Sequence, residues 1–220
     1  MVNRVIRLLV LSDFVIYFAL GLLAPIFAVF ILKNIEGSSI RVIGIATAMF
    51  WISRTLVVVP LARYMDRTDG ERDEFFFMII GSFILSSIPL FYLLIHTPLQ
   101  LYIVQLVYGI AAAMGSSGWT ILFTDHIDRG RVGYEWSLES LGMGIATGAS
   151  AFIGATLAEH FGFPIVLVLL SMLGYVATML TIPVYRDAKT LKQIKREGKL
   201  EALKQKRDTP VPTKPETLVK

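Results

Sequence analysis

Six long apolar runs, separated by short polar connections, account for most of the chain. They lie at residues 5–32, 40–64, 75–95, 99–124, 132–158 and 163–184. A helix needs about 20 apolar residues to cross a hydrocarbon core roughly 30 Å thick, and each run meets that length. The pattern therefore predicts six membrane-spanning helices, which we number spans 1 to 6 in chain order.

The backbone of a chain in lipid must satisfy its own hydrogen bonds, which leaves helices and closed barrels as the two solutions. Barrel strands alternate lipid-facing and lumen-facing residues with a period of two, and the six runs show no such alternation. The run at 5–32 is too long for the apolar region of a signal peptide and lacks a small-x-small cleavage pattern, so we retain it as a span. The predicted fold class is an all-α polytopic membrane protein.

Composition agrees with a bilayer as the main solvent. Of the 220 residues, 55% are hydrophobic and 17% charged, and the mean hydropathy is +0.64, whereas about a quarter of the residues in a soluble domain are charged. The chain has no cysteine, which excludes disulfides, thiolate metal sites and cysteine nucleophiles. We expect neither a metal site nor a cofactor.

Lys and Arg are concentrated at one end of the predicted spans. The other end carries Lys33 and Arg41, whereas the basic end carries Arg4, Arg7, Arg63, Arg67, Arg72, Arg129, Arg131, Arg186, Lys189, Lys192, Lys195 and Arg196. Because such residues mark the cytoplasmic side, we predict a multi-pass protein of the cell membrane with both termini in the cytoplasm. The net charge of +4 then reflects a basic face attracted to anionic membrane lipid, and no nucleic-acid partner is expected.

Three segments follow from this organisation. Residues 1–185 form one six-helix transmembrane domain. Residues 186–207 place Leu191, Ile194, Leu200 and Leu203 among lysines, a pattern typical of an amphipathic helix at a membrane interface. Residues 208–220 contain three prolines and are predicted to be a disordered tail.

Charged side chains inside a span cost at least ~2.5 to 3.5 kcal/mol in lipid, so they usually pair or face water. Asp13 of span 1 and Arg54 of span 2 lie at matching depths, and we expect them to pair. Such a pair either fixes helix packing or couples a proton to solute movement, because alternating surroundings change the proton affinity of a carboxylate. Glu139 of span 5 is a second candidate for that role, whereas Glu135 is expected to be a solvated helix start favoured by the helix dipole.

Polar and small residues share one face in several spans. Span 4 shows this most clearly with Gln105, Tyr108, Gly109, Ala112, Ser116 and Trp119, which fall within about 60° of one another on a helix. Span 1 adds a face with Asp13 and Tyr17, and Pro25 is expected to kink that span. The predicted substrate or ion pathway comprises Asp13, Tyr17, Trp51, Arg54, Gln105, Tyr108, Ser116, Trp119 and Glu139. Helix-on-helix packing is the alternative for each of them, and the glycine-rich span 5 is interpreted as a packing helix.

The connection between spans 2 and 3 reads Ala62-Arg63-Tyr64-Met65-Asp66-Arg67-Thr68-Asp69-Gly70-Glu71-Arg72. It resembles the Gly-x-Leu-Ala-Asp-Arg-x-Gly-Arg-Arg loop of the major facilitator superfamily. Asp66 and Arg67 match that loop, whereas Ala62 and Tyr64 replace its glycine and leucine and Gly70 comes one position late. Span 5, with Gly144-x-x-x-Gly148-x-x-x-x-x-Gly154, also looks like its counterpart there. It lacks the proline of the antiporter-type motif, so antiport is not supported.

The resemblance implies a transporter with a cytoplasmic gating loop. In such a loop an acidic residue at a helix end binds basic groups in one conformation and releases them in another. The residues expected to do this are Asp66, Arg67, Arg72, Asp125 and Arg129. Their alternative explanation is topology and solvation.

Members of this superfamily normally have twelve spans in two six-helix halves related by an axis along the membrane normal, and this chain resembles one half. Two copies with the same orientation could form a parallel homodimer with spans 2 and 5 at the interface. The predicted function is a half-size secondary carrier of a small polar or amphipathic solute that works by alternating access. The carboxylates inside the spans leave proton coupling open.

Two other functional classes are compatible with six spans. Gly115-Ser116-Ser117-Gly118 resembles the Gly-x-Ser-Gly of rhomboid intramembrane proteases, but span 6 has no histidine to act as a base. Ser117 also lies near the cytoplasmic end of its span, whereas the rhomboid serine is nearer the outer side. The third class is a noncatalytic subunit that pairs with another half or scaffolds a complex. No catalytic residue is predicted.

Overall fold

The computed structural model describes residues 3–67, 71–128 and 130–187, which form helices and contain no strand. Six helical segments are long and apolar enough to cross a membrane, namely Arg4–Asn34, Ile40–Met65, Glu71–Tyr92, Pro98–His126, Val132–Phe161 and Phe163–Arg186. The six predicted spans and the all-α fold class are confirmed. The predictions for 186–207 and 208–220 lie outside the described residues from position 188 onward.

Capping side chains and a glycine set the ends of several spans. At the start of span 2, Ser39 Oγ accepts a hydrogen bond from the backbone N–H of Val42 (3.4 Å), and Thr97 and Gln100 form a reciprocal capping box at the start of span 4. These side chains satisfy N–H groups that no carbonyl of the helix can reach. Gly162 alone links spans 5 and 6 with a φ of 82°, which glycine adopts without the steric cost of a side chain.

Span 1 is interrupted at the predicted kink. One α-helix runs over Arg4–Leu23, a 3-10 turn covers Ala24–Ile26, and a second α-helix covers Phe27–Asn34. Pro25 has no N–H to donate, and its ring clashes with the carbonyl one turn earlier. The break divides span 1 into a first arm that carries Asp13 and a second arm that carries Phe30.

Spans 1, 3, 4 and 6 form the centre of the bundle, and spans 2 and 5 flank it. The four central spans contact one another in a ring, while span 2 packs along span 4 and span 5 packs along span 1. In the most apolar stretch of span 2 and of span 5, 17% of residues are buried, against 50% in span 4. Both flanking spans therefore present a broad unpacked face.

The two ends of the bundle differ in charge. At one end, which we call the basic end, spans 1, 3 and 5 begin and spans 2, 4 and 6 finish. The Asn3 side chain there donates to the carbonyl oxygen of His126 (3.4 Å). At the opposite end, the backbone N–H of Glu36 donates to the carbonyl oxygen of His96 (2.8 Å). This connectivity places the described basic residues as the sequence predicted, with Lys33 and Arg41 at the opposite end.

Two apolar clusters fill the bundle, one toward each end. The cluster toward the opposite end contains Phe30, Tyr92 and Leu167. The cluster toward the basic end contains Leu9 and Phe123. Asp13 and Tyr17 of span 1 and Ser116 of span 4 lie between these clusters along the chain, at the middle depth of the bundle, whereas Tyr108 and Trp119 pack against the clusters themselves.

Glycines allow spans 1 and 5 to approach closely. A Cβ added to Gly154 of span 5 would overlap the backbone carbonyl of Leu22, and one added to Gly21 of span 1 would overlap Ser150 Oγ. No atom lies within 4 Å of a Cβ placed on Gly144 or Gly148. Span 5 is thus a packing helix on the face that holds Gly154, and its Gly144–Gly148 face is open.

Replacing Gly154 with alanine should destabilise the folded protein by about 1 to 3 kcal/mol, because the new methyl group forces spans 1 and 5 apart. Gly133→Ala in the same span is the matched control, since nothing lies within 4 Å of its Cβ position and alanine favours a helix over glycine. Thermal unfolding of both variants in one detergent measures the difference. Equal stabilities would contradict the close approach.

Candidate functional site

Polar side chains from spans 1, 2, 4 and 5 come together at the middle depth of the bundle. Tyr17 of span 1 is the central member, because it interacts electrostatically with Asp13, Glu139 and Arg54. Arg54 also interacts with Tyr108 of span 4. We call this group of side chains the cleft, with an acidic wall on spans 1 and 5 and a basic, aromatic wall on spans 2 and 4.

The acidic wall consists of two carboxyl groups that face each other. Asp13 and Glu139 are close enough for their side chains to share a hydrogen bond, and Ser140 Oγ donates to Glu139 Oε2 at 3.2 Å. Glu139 is 9% exposed. Two carboxylates at this range repel each other unless a proton lies between them. The arrangement is therefore suited to binding and releasing a proton.

The predicted ion pair between Asp13 and Arg54 is wrong. Within the described ranges no ion pair joins them, and the Arg54 guanidinium instead lies over the Trp51 ring, 5.2 Å from its centroid. The physical reason is the order of the helices, because span 2 packs on span 4 rather than on span 1. A cation over an indole face gains a favourable electrostatic contact without a carboxylate.

The polar face predicted for span 4 divides between the cleft and the packing of neighbouring helices. Tyr108 faces Phe50 of span 2, with ring centroids 4.7 Å apart. Gly109 lies against span 2 so closely that a Cβ would overlap Ser53 Oγ. Ser116 Oγ donates to the Ala113 carbonyl one turn earlier (3.4 Å). For Gly109 and Ser116, helix packing and local bonding therefore describe the contacts better than a pathway does.

Gln105 and Trp119 are more involved in burial and packing than residues of a pathway were expected to be. Gln105 is 3% exposed, and its Oε1 has no hydrogen-bond partner among the described residues. Trp119 stacks on Phe123 at 4.7 Å between ring centroids. It also lines a cavity of about 40 Å³ together with Asp13 and Ser82. Trp119 thus belongs to the basic-end cluster and, through this cavity, also lies beside Asp13 of the acidic wall.

Phe50 is a cleft residue that the sequence analysis missed. It contacts Tyr108, and it also lies edge-on to Trp51, with ring centroids 5.2 Å apart. A signal was available, because Phe50 precedes Arg54 by four residues and such pairs share a helix face. Because Phe50 is apolar, the pattern of polar positions does not include it.

The predicted gating loop is only partly assembled in this conformation. Asp66 and Arg67 are exposed at the end of span 2, and Asp125 lies within electrostatic range of Asp66. Arg72 turns toward span 6, where its guanidinium lies 5.5 Å from the centroid of the Tyr185 ring. Arg129 lies outside the described residues.

Two contacts at the basic end were not predicted. His126 Nε2 lies 3.8 Å from Glu71 Oε2 and links span 4 to the start of span 3. Glu135 is fully buried, and its Oε2 accepts a hydrogen bond from the backbone N–H of Asp128 (3.2 Å). The expectation of a solvated Glu135 is wrong, because the connection between spans 4 and 5 folds back over the helix start.

The protease alternative finds no supporting geometry. Ser117 is 7% exposed, and its hydroxyl has no hydrogen-bond partner among the described residues. The His126 ring lies nine residues, about 13 Å of helix, further along span 4. Its Nδ1 lies 2.9 Å from the Leu122 carbonyl oxygen. No described histidine is placed to activate Ser117.

Comparison with known proteins agrees with the transport reading. Residues 9–218 match the Major Facilitator Superfamily. The chain is also 26% identical over 164 residues to the uncharacterized MFS-type transporter YitZ of Bacillus subtilis (strain 168), and this alignment covers 74% of the chain and 96% of YitZ. The chain therefore belongs to the Major Facilitator Superfamily and is a six-span membrane transporter rather than an enzyme.

Proposed function

We propose that the protein is a proton-coupled secondary carrier of a small polar or amphipathic solute, and that it works as a parallel homodimer by alternating access. The observation that carries the proposal is the group of polar side chains around Tyr17, which draws members from the two one-sided spans 2 and 5. A second copy placed across these spans would close the cleft into a pathway with two similar walls. Both termini of each copy would lie in the cytoplasm of the cell.

The unpacked faces of spans 2 and 5 support the pairing. On span 2, Ile52 and Leu56 are 53% and 69% exposed, and on span 5, Ile145 and Phe152 are 57% and 75% exposed. Small residues beside such side chains let helices in lipid approach closely, and span 5 offers Gly148 on this face. The match to YitZ also supports a half-size unit, because the 164 aligned residues take in 96% of that relative.

The facing carboxyl groups support proton coupling. A proton held between Asp13 and Glu139 leaves when a basic group or water separates them, so its release can follow the rearrangement of the cleft. Arg54, held over Trp51 on the opposite wall, is available to meet an acidic or polar group of the solute. The solute site therefore offers an acid pair, one cation and several aromatic rings.

Disulfide trapping tests the homodimer, because the native chain has no cysteine. In the double variant Ile52→Cys/Ile145→Cys both positions lie near the middle of their spans, and oxidation in membranes should give covalent dimers. The matched control is Ile80→Cys/Val176→Cys, at two positions that are each 47% exposed on the outer face of spans 3 and 6. It should remain monomeric on denaturing gels.

Mass measurement of the purified protein in a membrane mimetic gives an independent result. A dimer is expected at working concentrations. A strictly monomeric protein at every concentration, with no disulfide-trapped dimer, would overturn the homodimer mechanism. That result would favour a subunit that pairs with a different six-span protein, since the open faces of spans 2 and 5 would then need another partner.

A further inference from the structure

A groove opens at the basic end, on the outer side of spans 3 and 6, away from the cleft. Its volume is about 670 Å³, and its apolar surface comes from Phe75, Phe76 and Ile79 of span 3 and Ile182, Pro183 and Tyr185 of span 6. None of the residues that line it belongs to the predicted pathway or gating loop. It lies where the helices leave the apolar part of the bundle.

Two guanidinium groups line the groove, and a third lies against one of its aromatic rings. Arg4 and Arg186 line it directly, and Arg72 lies over the ring of Tyr185. Arg186 is exposed, and Arg4 makes a single long contact of 3.9 Å with Asp187 while its side chain stays 56% exposed. The rim is thus positive where Arg4 and Arg186 line the groove, while Asp187 offsets part of the charge and Arg4 also lines a second cavity with Glu71, Asp125 and Asp128.

The apolar surface of the groove continues along the outside of the bundle. On span 3 it leads to Ile80 and Phe83, which are 47% and 56% exposed, and on span 6 to Met179 and Val176, which are 64% and 47% exposed. These residues recur every three or four positions, so they form one stripe on each helix. The lipid-facing surface of the transporter therefore runs into the groove without a polar interruption.

We infer that this groove binds an anionic phospholipid, with the headgroup phosphate among the three arginines and an acyl chain along the stripes of spans 3 and 6. Basic pockets between membrane helices suit anionic headgroups, and arginine matches phosphate oxygens in a bidentate geometry. The combination of a cationic rim and a long apolar surface selects a lipid. The inference depends neither on dimerisation nor on proton coupling.

Other occupants fit the groove less well. Inorganic phosphate would use the rim and leave the apolar surface uncovered. A zwitterionic lipid would bring a choline group among guanidinium groups of the same sign. The chain beyond the groove carries ten Lys or Arg and four Asp or Glu over residues 188–220, so its net charge has the sign of the rim and opposes docking there.

Native mass spectrometry of the full chain in detergent tests the inference with dioleoylphosphatidylglycerol and dioleoylphosphatidylcholine as probes. We expect the wild type to retain phosphatidylglycerol preferentially. The variant Arg4→Gln/Arg186→Gln should bind phosphatidylglycerol about tenfold more weakly or worse, because two arginines are lost from the site. The matched control Arg63→Gln/Arg131→Gln removes the same charge from exposed positions at the basic end and should bind as the wild type does.

Three results would overturn the inference. Equal retention of the two lipids would show no charge selection, and equal weakening in both double variants would show a response to surface charge alone. Displacement of phosphatidylglycerol by an equal concentration of inorganic phosphate would show an ion site without an acyl contribution. Phe76→Asn, with all arginines present, checks the apolar part directly and should also weaken retention. Helical content by circular dichroism and elution volume establish that each variant is folded.

Discussion

Asp13→Asn is expected to abolish proton-driven solute uptake while the helix bundle stays folded. Asparagine keeps the size of the side chain and cannot carry the exchangeable proton that the proposed mechanism places between Asp13 and Glu139, whose side chains lie close together. In proteoliposomes with an imposed pH gradient, uptake of a panel of small labelled solutes should fall to the level of empty vesicles. The same variant should retain solute binding, because Arg54 and the aromatic rings remain.

Asp187→Asn is the matched control for this substitution. It makes the identical chemical change at the basic end, where Asp187 contacts Arg4 at 3.9 Å, and uptake should be retained. Glu139→Gln should be as damaging as Asp13→Asn, and the double variant should be no worse than either single one, because groups that act as a unit are not additive. Gradient-driven uptake by Asp13→Asn at the wild-type rate would remove the carboxyl pair from the mechanism.

Phe123→Ala is expected to cause the largest loss of stability, at about 3 kcal/mol or more. Phe123 is fully buried, and its ring lies 4.7 Å from the rings of both Trp119 and Trp136. Helices in lipid are held together largely by van der Waals packing, so the cavity left by the ring costs contacts from spans 4 and 5 at once.

Unfolding in detergent, followed by tryptophan fluorescence, measures this loss. The control is Phe91→Ala, because Phe91 is 51% exposed on the outside of span 3 and its removal should change stability little. A Phe123→Ala variant as stable as Phe91→Ala would contradict the packing of the basic-end cluster.

The spans were predictable because their signal is local. The length of each apolar run shows that it can cross the membrane. Pro25 breaks span 1 because it lacks an N–H and its ring clashes with the preceding turn. Which helices are neighbours depends on contacts between residues far apart in the sequence. The wrong prediction of an Asp13–Arg54 ion pair came from this. Matching depth along two helices does not make them neighbours, and span 4 lies beside span 2 because Gly109 allows close approach to Ser53.

The sequence indicated which polar side chains lie near one another better than it indicated how they pair. Asp13, Arg54 and Glu139 do come together around Tyr17, since a charged side chain is too costly to face lipid. Which carboxyl group meets which partner depends on the rotation of spans 1 and 5, and that rotation is set by Gly154 against Leu22. The sequence predicted a solvated Glu135 because the spacing of apolar residues does not show that residues 127 and 128 fold back over the start of span 5.

The one-sided packing of spans 2 and 5 has a consequence for how such a carrier would evolve. In a symmetric pair, every residue of the cleft occurs twice, so one codon change alters both walls of the pathway together. Each dimer would hold two Asp13–Glu139 pairs and two Arg54 groups. The maximum number of protons on these pairs would therefore be even, and no substitution could change the side chains of one wall alone. A chain with twelve spans can assign one half to the proton and the other to the solute, whereas in the proposed homodimer a single set of side chains would serve both.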